Sequence, residues 1–341
     1  MQSFLPATLE NVASPGHSRL VRIRSDAAGM DVRETVTAVS ARRKAASSGA
    51  GNRPPGGQGT ARQTPPVKST LRKGTRKPVP HCNELDGKRW IQNSISVWSD
   101  IRKNPEENQL KHPAMFPSML VERLIESFLR PEASVVLDPF AGSGSTIVAA
   151  EKLGKRGIGF ELSAEYAELT RSRLSDVASG QPLKSTIHEM SAFDLLSRLE
   201  PESVDLCVTS PPYWNILNQR RTADHKEIRH YGNLDGDLGT IEDYDDFLTE
   251  LTRVFADVHV ALRPGAYCCV IVMDLRKKNR FFPFHSDLAA RLQQLGFIFD
   301  DLFIWNRQSE YNNLRPLGYP AVFRVNKVHE FVVLMQKPKA S

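Results

Sequence analysis

Cysteine is scarce in this chain, with four residues in 341, and no two of them are spaced as Cys-x-x-Cys. We therefore expect neither a disulfide-stabilised secreted scaffold nor a metal site built on cysteine. Cys207 and Cys268 lie in apolar runs, which predicts reduced thiols in the core of a cytoplasmic protein. The sequence also lacks any run of eighteen apolar residues, so we expect no membrane span and no membrane partner.

The first 80 residues form a basic tail that is poor in aromatic residues and rich in Pro, Gly, Ser and Arg. The tail holds 14 Lys and Arg against 4 Asp and Glu, a net charge of +10; the whole chain carries +6, so residues 81–341 carry −4. Such a composition cannot bury enough apolar surface to become ordered, and we expect disorder. The basic run 68–77 would attract phosphates. The alternatives are a solvated linker, translation from Met30, and an organellar transit peptide, although no amphipathic period is evident.

Residues 81–341 alternate between apolar runs and helical patterns over a length sufficient for one complete domain. Apolar runs that end in turn residues predict strands at 135–137, 157–160, 186–188, 204–208, 267–273, 298–305 and 328–335. Helical patterns predict helices at 146–152, 164–174, 244–262 and 286–295. This alternation is typical of an α/β fold with a doubly wound, mostly parallel sheet, whose ligand crevice lies at the carboxyl ends of the strands.

The most informative local pattern is the strand, turn and helix start at 135–146, in which Asp138 is followed by Gly142 and Gly144. Glycines in such a turn allow backbone amides to approach a nucleotide-like cofactor closely. Asp138, at the strand end, either fixes the turn or meets an ammonium group of the cofactor. Taken alone, the pattern also occurs in dinucleotide enzymes.

A second pattern, Thr-Ser-Pro-Pro-Tyr-Trp at 209–214, follows the apolar run 204–208. Pro211 and Pro212 restrict two φ angles, so a hydroxyl, a carbonyl and an aromatic ring are held in one rigid corner. Both patterns end predicted strands, which predicts that they meet at the same edge of the sheet.

Together these motifs resemble the S-adenosyl-L-methionine-dependent DNA methyltransferases that modify the exocyclic nitrogen of cytosine or adenine. The resemblance runs from about residue 85 to 337 and rests on four motifs in order, at 112–117, 138–146, 159–162 and 210–213. It implies a Rossmann-like class I methyltransferase fold for residues 81–341, with a cofactor half at about 112–195 and a catalytic half at about 204–337. It also implies S-adenosyl-L-methionine as the cofactor.

In the cofactor half, Glu161 ends a predicted strand about twenty residues after the glycine turn, where an acid accepts hydrogen bonds from ribose hydroxyls. The alternative is a surface acid before a helix that is capped by Ser163. The resemblance implies that the segment with His112 and Phe116 closes over the methionine end of the cofactor. For His112 itself we expect a hydrogen bond that fixes the loop rather than proton transfer.

One position departs from the family pattern. Family members carry Gly-Asp-Ala after the third strand, whereas this chain has Glu-Met-Ser-Ala at 189–192. Ser191 and Asp194 are therefore the candidates for the contact with the adenine amino group. The other predicted cofactor contacts belong to the glycine turn: Asp138, Phe140, Gly142 and Gly144.

An exocyclic amine conjugated to its ring is a poor nucleophile because its lone pair is delocalised. Ser210 Oγ and the carbonyl of Pro211 are predicted to accept the two amine hydrogens, which turns the lone pair toward the methyl group without any metal. Pro212 holds the corner, and Tyr213, with Trp214 as a further candidate, is expected to stack on a base flipped out of the duplex. A serine in the first position favours cytosine N4 over adenine N6.

The expected partner is DNA, either in a bacterial modification system with a cognate endonuclease or as the substrate of an orphan methylase; the oligomeric state is open. The loops 215–239 and 307–324 combine basic and aromatic residues and are candidates for reading bases, and the cluster 276–280 is a candidate for contacting the DNA backbone. Solvated loops explain each of them equally well. An RNA amine methyltransferase and a catalytically idle nucleic-acid-binding protein are the alternative functions.

Overall fold

A computed structural model describes residues 81–109, 115–216, 236–311 and 314–339. These residues belong to one unit, Thr75–Ser341. The predicted tail 1–80, His112 and most of the loop 215–239 lie outside the described residues. The predicted boundary at residue 80 therefore stays a prediction.

The described residues contain ten strands and seven α-helices. The strands are β1 Val97–Trp98, β2 Val135–Asp138, β3 Arg156–Glu161, β4 Thr186–Glu189, β5 Val204–Thr209, β6 Leu262–Val272, β7 Leu275–Lys277, β8 Arg280–Phe282, β9 Ile298–Asn306 and β10 His329–Gln336. The helices are α1 Gly87–Asn93, α2 Pro105–Gln109, α3 Ser118–Phe128, α4 Ser145–Lys152, α5 Ala164–Ala178, α6 Tyr244–Ala261 and α7 Phe284–Gln294. Every strand and helix predicted from the sequence is present, whereas α1 to α3, β1 and the hairpin β7–β8 were not predicted.

Eight strands form one sheet in the order β1-β9-β10-β6-β5-β2-β3-β4. Strands β4, β3, β2, β5 and β6 are parallel to one another, and β10 is antiparallel to both of its neighbours, β6 and β9. The predicted doubly wound, mostly parallel Rossmann-like sheet is thus confirmed. The strand order reverses between β2 and β5, and ligands of open α/β sheets bind outside the carboxyl ends at such a point.

Helices cover both faces of the sheet, which explains the continuous apolar strands. Leu206 and Val208 of β5 pack in one core with α3 and α4, while Cys207 between them faces a second core that contains α6 and α7. Cys207 is fully buried, as predicted for a core thiol. Within the described ranges, no helix has both the length and the apolar character needed to cross a membrane.

Candidate active site

The carboxyl ends of β2 and β5 are joined by a side-chain hydrogen bond at the point where the strand order reverses. Asp138, the last residue of β2, is fully buried, and its Oδ1 accepts from Thr209 Oγ1 of β5 at 2.6 Å. The same oxygen accepts from the backbone N–H of Phe140 at 3.0 Å. One carboxylate therefore fixes the glycine turn and connects it to the proline corner.

Asp138 carries a charge that the fold does not fully compensate. Burial raises its pKa to about 6, although the hydrogen bond from Thr209 acts in the opposite direction. Its Oδ2 has no hydrogen-bond partner among the described residues. A buried carboxylate oxygen without a donor is uncommon in folded proteins. The position therefore fits a ligand that brings an ammonium or another N–H group.

Glu161, the last residue of β3, closes the glycine turn from the other side. Its Oε2 accepts from the backbone N–H of Gly142 at 2.7 Å, and its Oε1 accepts from the backbone N–H of Ser163 at 2.8 Å. Glu161 is buried, and burial raises its pKa. Since each carboxylate oxygen can accept more than one hydrogen bond, acceptor capacity remains for a ligand hydroxyl.

Both glycines of the turn have a left-handed backbone conformation, and Gly144 also makes room for a neighbouring helix. Both have positive φ, 53° at Gly142 and 79° at Gly144. A Cβ on Gly144 would lie 2.4 Å from Thr170 Cγ2 of α5, so the missing side chain makes room for a neighbouring helix. The predicted reason for a glycine here was the close approach of a cofactor. In the structure, the close approach at Gly144 is a contact between the turn and α5.

Phe116 precedes α3 and lies next to the start of α4. It is buried, and its carbonyl oxygen accepts from Ser145 Oγ at 2.8 Å. Glu107, a buried acid that was not predicted as a site residue, accepts from the backbone N–H of Ser118 at 2.7 Å. Hydrogen bonds thus hold this segment at two points, at Phe116 through Ser145 of α4 and at Ser118 through Glu107. His112, the other candidate in this segment, lies outside the described residues.

The two candidates after β4 differ in their surroundings. The segment is attached to the end of β3, because the backbone N–H of Met190 donates to the carbonyl of Glu161 at 3.0 Å. Ser191 is half-buried, and its Oγ accepts from the backbone N–H of Phe193 at 3.3 Å at the start of a short 3-10 helix. Asp194 is exposed. Ser191 therefore follows a residue that is hydrogen-bonded to the end of β3, where Glu161 lies. The roles of Ser191 and Asp194 stay predictions.

The proline corner ends in a chain of hydroxyl groups. Ser210 Oγ donates to Tyr213 Oη at 3.3 Å, and Tyr213 Oη donates to Glu330 Oε2 at 2.8 Å. Glu330, in β10, is 5% exposed and forms an ion pair with Arg307, which follows β9. Burial, together with the negative charge of Glu330, raises the pKa of Tyr213 well above its ordinary value, so the phenol keeps its proton.

Glu330 was not predicted as a site residue, and Arg307 was named only as the first residue of the candidate base-reading loop 307–324. Glu330 is 117 positions from Tyr213, and it reaches the corner because β10 enters the sheet between β6 and β9. The available signal was an acid inside the apolar run 328–335, since a charge in a buried strand requires a partner.

Trp214 does not have the surroundings that were suggested for a base-stacking ring. It is 5% exposed and packs against Tyr244 and Phe282, with ring centroids 5.3 and 5.2 Å away. The backbone of Trp214 has a φ of 51°, and its ring lies in the core shared with α6. The suggestion that Trp214 stacks on a base is therefore wrong, because no open face remains. Tyr213 keeps a half-buried position beside the corner.

The sequence of this chain is similar to a known protein family. The family model of the N6/N4 methyltransferases, described as DNA methylase, matches residues 61–172 and 204–341, which is more than two thirds of the chain. The type II methyltransferase M2.DpnII of Streptococcus pneumoniae is 42% identical over 79 residues, which are 23% of this chain and 29% of that protein. The type II methyltransferase M.ScaI of Streptomyces caespitosus is 37% identical over 98 residues, 27% of this chain and 30% of that protein.

The matched segments span less than a third of the length of either relative. Among solved structures, a putative DNA modification methylase from Thermus thermophilus, complexed with S-adenosyl-L-methionine, is 30% identical to this chain with a TM-score of 0.31. That alignment covers 44% of this chain and 54% of the other.

Proposed function

Because this chain belongs to the N6/N4 DNA methylase family, we propose that it transfers a methyl group from S-adenosyl-L-methionine to an exocyclic amine of a base in DNA. The observation that carries the proposal is the hydrogen bond from Thr209 to Asp138, which holds a cofactor-type glycine turn against a corner suited to a planar amine. When bound, the cofactor supplies an electrophilic methyl group on a sulfonium sulfur.

The polar ends of the cofactor are assigned to the two buried acids. Asp138 Oδ2, which has no partner among the described residues, accepts from the ammonium group of the methionine part. Glu161 accepts from the ribose hydroxyls while its hydrogen bond to Gly142 keeps the turn closed. The buried charge of Asp138 supports this assignment, since an ammonium partner offsets the cost of desolvation.

The remaining cofactor contacts are proposed from their positions around the same turn. Phe116 and Phe140 supply apolar surface, and Gly142 and Gly144 give the turn its shape. Either Ser191 or Asp194 accepts from the adenine amino group, and His112 holds the loop before α3. None of these roles requires a titrating side chain.

Ser210 and Pro211 activate the target amine. Because the Ser210 hydroxyl donates its hydrogen to Tyr213, the lone pairs of Ser210 Oγ remain available as acceptors. Pro211 and Pro212 have no backbone N–H, so these two residues offer carbonyl acceptors to the substrate and no amide donors. Two acceptors match the two hydrogens of an amine, and both bonds localise the nitrogen lone pair. In the transfer, this lone pair would form the new N–C bond as the C–S bond breaks; the electrons of the broken bond would stay on the sulfur of the neutral thioether, and one amine hydrogen would leave as a proton to solvent.

Tyr213 stacks on the target base, which leaves the duplex to reach the corner. The serine at 210 favours cytosine N4, with adenine N6 as the alternative. We further propose that the protein works in the cytoplasm within a DNA modification system, where a cognate endonuclease is the expected functional partner.

The test is incubation of the purified protein with methyl-labelled S-adenosyl-L-methionine and unmethylated genomic DNA, followed by digestion and mass spectrometry of the nucleosides. N4-methylcytosine is the expected product, and N6-methyladenine would retain the mechanism but change the base. Label in neither nucleoside, or label in RNA alone, would refute a DNA methyltransferase. The Ser210→Ala variant is the control, since it removes one acceptor and leaves Asp138 and Glu161 in place.

A further inference from the structure

The hairpin β7–β8 lies beside the proline corner. It follows β6, which runs parallel to β5, so the hairpin begins at the edge of the sheet where Ser210 lies. Lys277 Nζ donates to Asn215 Oδ1 at 3.1 Å and lies 3.8 Å from the centroid of the Trp214 ring. The hairpin is thus attached to the two residues that directly follow Tyr213.

Several cations around this hairpin have no acidic partner. In the part of the chain that the structure describes, four of them form no ion pair with a carboxylate: Arg276, Lys278, Arg280 and Lys327. Asp274, the acid at the base of the hairpin, is instead bonded to His285 Nδ1 at 2.6 Å. Apart from the charge of Asp274, which acts on Lys327, the positive charge of these four side chains is therefore left for solvent or for an anionic partner.

Two of these cations share one aromatic ring. Arg276 Cζ lies 5.6 Å and Lys327 Nζ lies 4.9 Å from the centroid of Phe281, a ring that is 42% exposed. Burial, and after it the charge of Arg276, lowers the pKa of Lys327. Like charges gathered on one ring repel each other, and an anion that binds between them removes that cost.

This cluster is positively charged, whereas residues 81–341 together carry a net charge of −4. The segment that leads to Lys327 also carries the two most exposed aromatic side chains among the described residues, Phe323 at 91% and Tyr319 at 79%. Cations that lie over aromatic rings, in a domain that also exposes aromatic side chains close to Lys327 in sequence, suit a polymer with a row of phosphates and with flat bases.

We propose that the basic hairpin surface, defined as residues 276–281 together with Lys327, binds the phosphates of duplex DNA next to the target base. The inference rests on the proposed function for its choice of polymer. Its position follows from the contacts of Lys277 with Asn215 and Trp214, which lie next to the base-stacking Tyr213. Phosphate contacts of this kind orient the duplex and carry no sequence information.

The test compares the salt dependence of DNA binding for three full-length proteins, measured without cofactor so that no turnover is required. The hairpin variant is Arg276→Gln, Lys278→Gln and Arg280→Gln. The matched control is Lys152→Gln, Arg156→Gln and Arg198→Gln, which removes three exposed charges, with Arg156 at the amino end of β3 and thus at the opposite edge of the sheet. Equal thermal stability and equal cofactor affinity establish that both variants are folded.

Each lost phosphate contact lowers the slope of log Kd against log salt by roughly 0.9. The hairpin variant should therefore lose about 2 to 3 units of slope and on the order of tenfold or more in affinity at low salt, while the control keeps the wild-type slope. Equal slopes for all three proteins, or equal losses in both variants, would overturn the proposal. Tighter binding to duplex RNA than to duplex DNA would overturn the choice of polymer.

These outcomes are independent of methyl transfer. A hairpin variant with normal DNA binding in a protein that methylates DNA refutes only the surface. Loss of DNA binding in the hairpin variant, in a protein that methylates no nucleoside, supports the surface and refutes only the proposed reaction.

Discussion

Replacing Asp138 by Asn keeps the shape of the side chain and removes a charge that the fold holds out of water. The pKa of this carboxyl is raised by burial from an ordinary value near 3.8 to about 6. The folded state therefore binds the proton more tightly than the unfolded state between these values. The stabilisation from the protonated acid is fully present below pH 3.8 and is lost as the pH rises through about 6.

A shift of about 2 units corresponds to roughly 3 kcal/mol of unfolding free energy. The free energy of unfolding of the wild type, measured by denaturant titration at pH values from 4 to 7, should fall by about this amount relative to Asp138→Asn. The absolute difference at one pH also contains the cost of a new buried NH₂ group, so the change with pH is the relevant quantity. A difference that stays constant over this range would refute the idea that Asp138 holds a penalised charge.

Asp176→Asn is the matched control, because it makes the same chemical change at an exposed aspartate that has no proposed role in the site. The same reasoning predicts the behaviour of the cofactor. Affinity for S-adenosyl-L-methionine should increase as the pH rises from 5 to 7, because the ionised Asp138 pairs with the ammonium group, and it should be weak and insensitive to pH in Asp138→Asn. Calorimetric titration at each pH measures both quantities.

Three further substitutions separate the remaining roles. Tyr213→Ala should abolish turnover and largely spare cofactor affinity in equilibrium binding, while Tyr213→Phe, which loses only the contacts with Ser210 and Glu330, should retain the ring and lose about 10- to 100-fold in kcat, the value of one charge-assisted hydrogen bond. Glu161→Ala should weaken cofactor binding first, with kcat recovered at saturating cofactor; the reverse pattern for these two residues would contradict the division of roles. Gly144→Ala should lower the free energy of unfolding by at least about 2 kcal/mol, from the left-handed backbone and the contact with α5, and unchanged stability in denaturant titration would contradict that account.

Much of the fold could be predicted because its signals are local. Strands such as β2 and β5 are buried on both faces, so they are continuous apolar runs. Each is followed by a turn that contains glycine or proline. The order of such runs and helices restricts the sheet to a doubly wound topology. The hairpin β7–β8 gave no comparable signal, because three-residue strands are too short for a period to be visible.

Apart from the segment with His112 and Phe116, which the family resemblance supplied, the candidate site residues were predicted at or just after strand ends. Asp138, Glu161 and Ser210 are such positions, and their proximity follows from the parallel strands. The side chains that support them were not predictable in the same way, since Glu330 meets Tyr213 only through the place of β10 in the sheet. Trp214 is a residue whose role could not be predicted from the sequence. An aromatic residue next to a motif can be either a ligand contact or a core residue, and in the structure Trp214 packs against α6 and belongs to the core.

The amino-acid sequence by itself therefore determined the α/β class, the strand ends and the order of the two motifs, since these depend on backbone restrictions and periodicity within a few residues. Only the tertiary structure decided which groups meet across the sheet: Thr209 with Asp138, Gly144 with Thr170, and Tyr213 with Glu330. The physical reason is that a hydrogen bond or a close contact requires positions within a few ångströms, and for residues tens of positions apart the packing of strands and helices sets those positions.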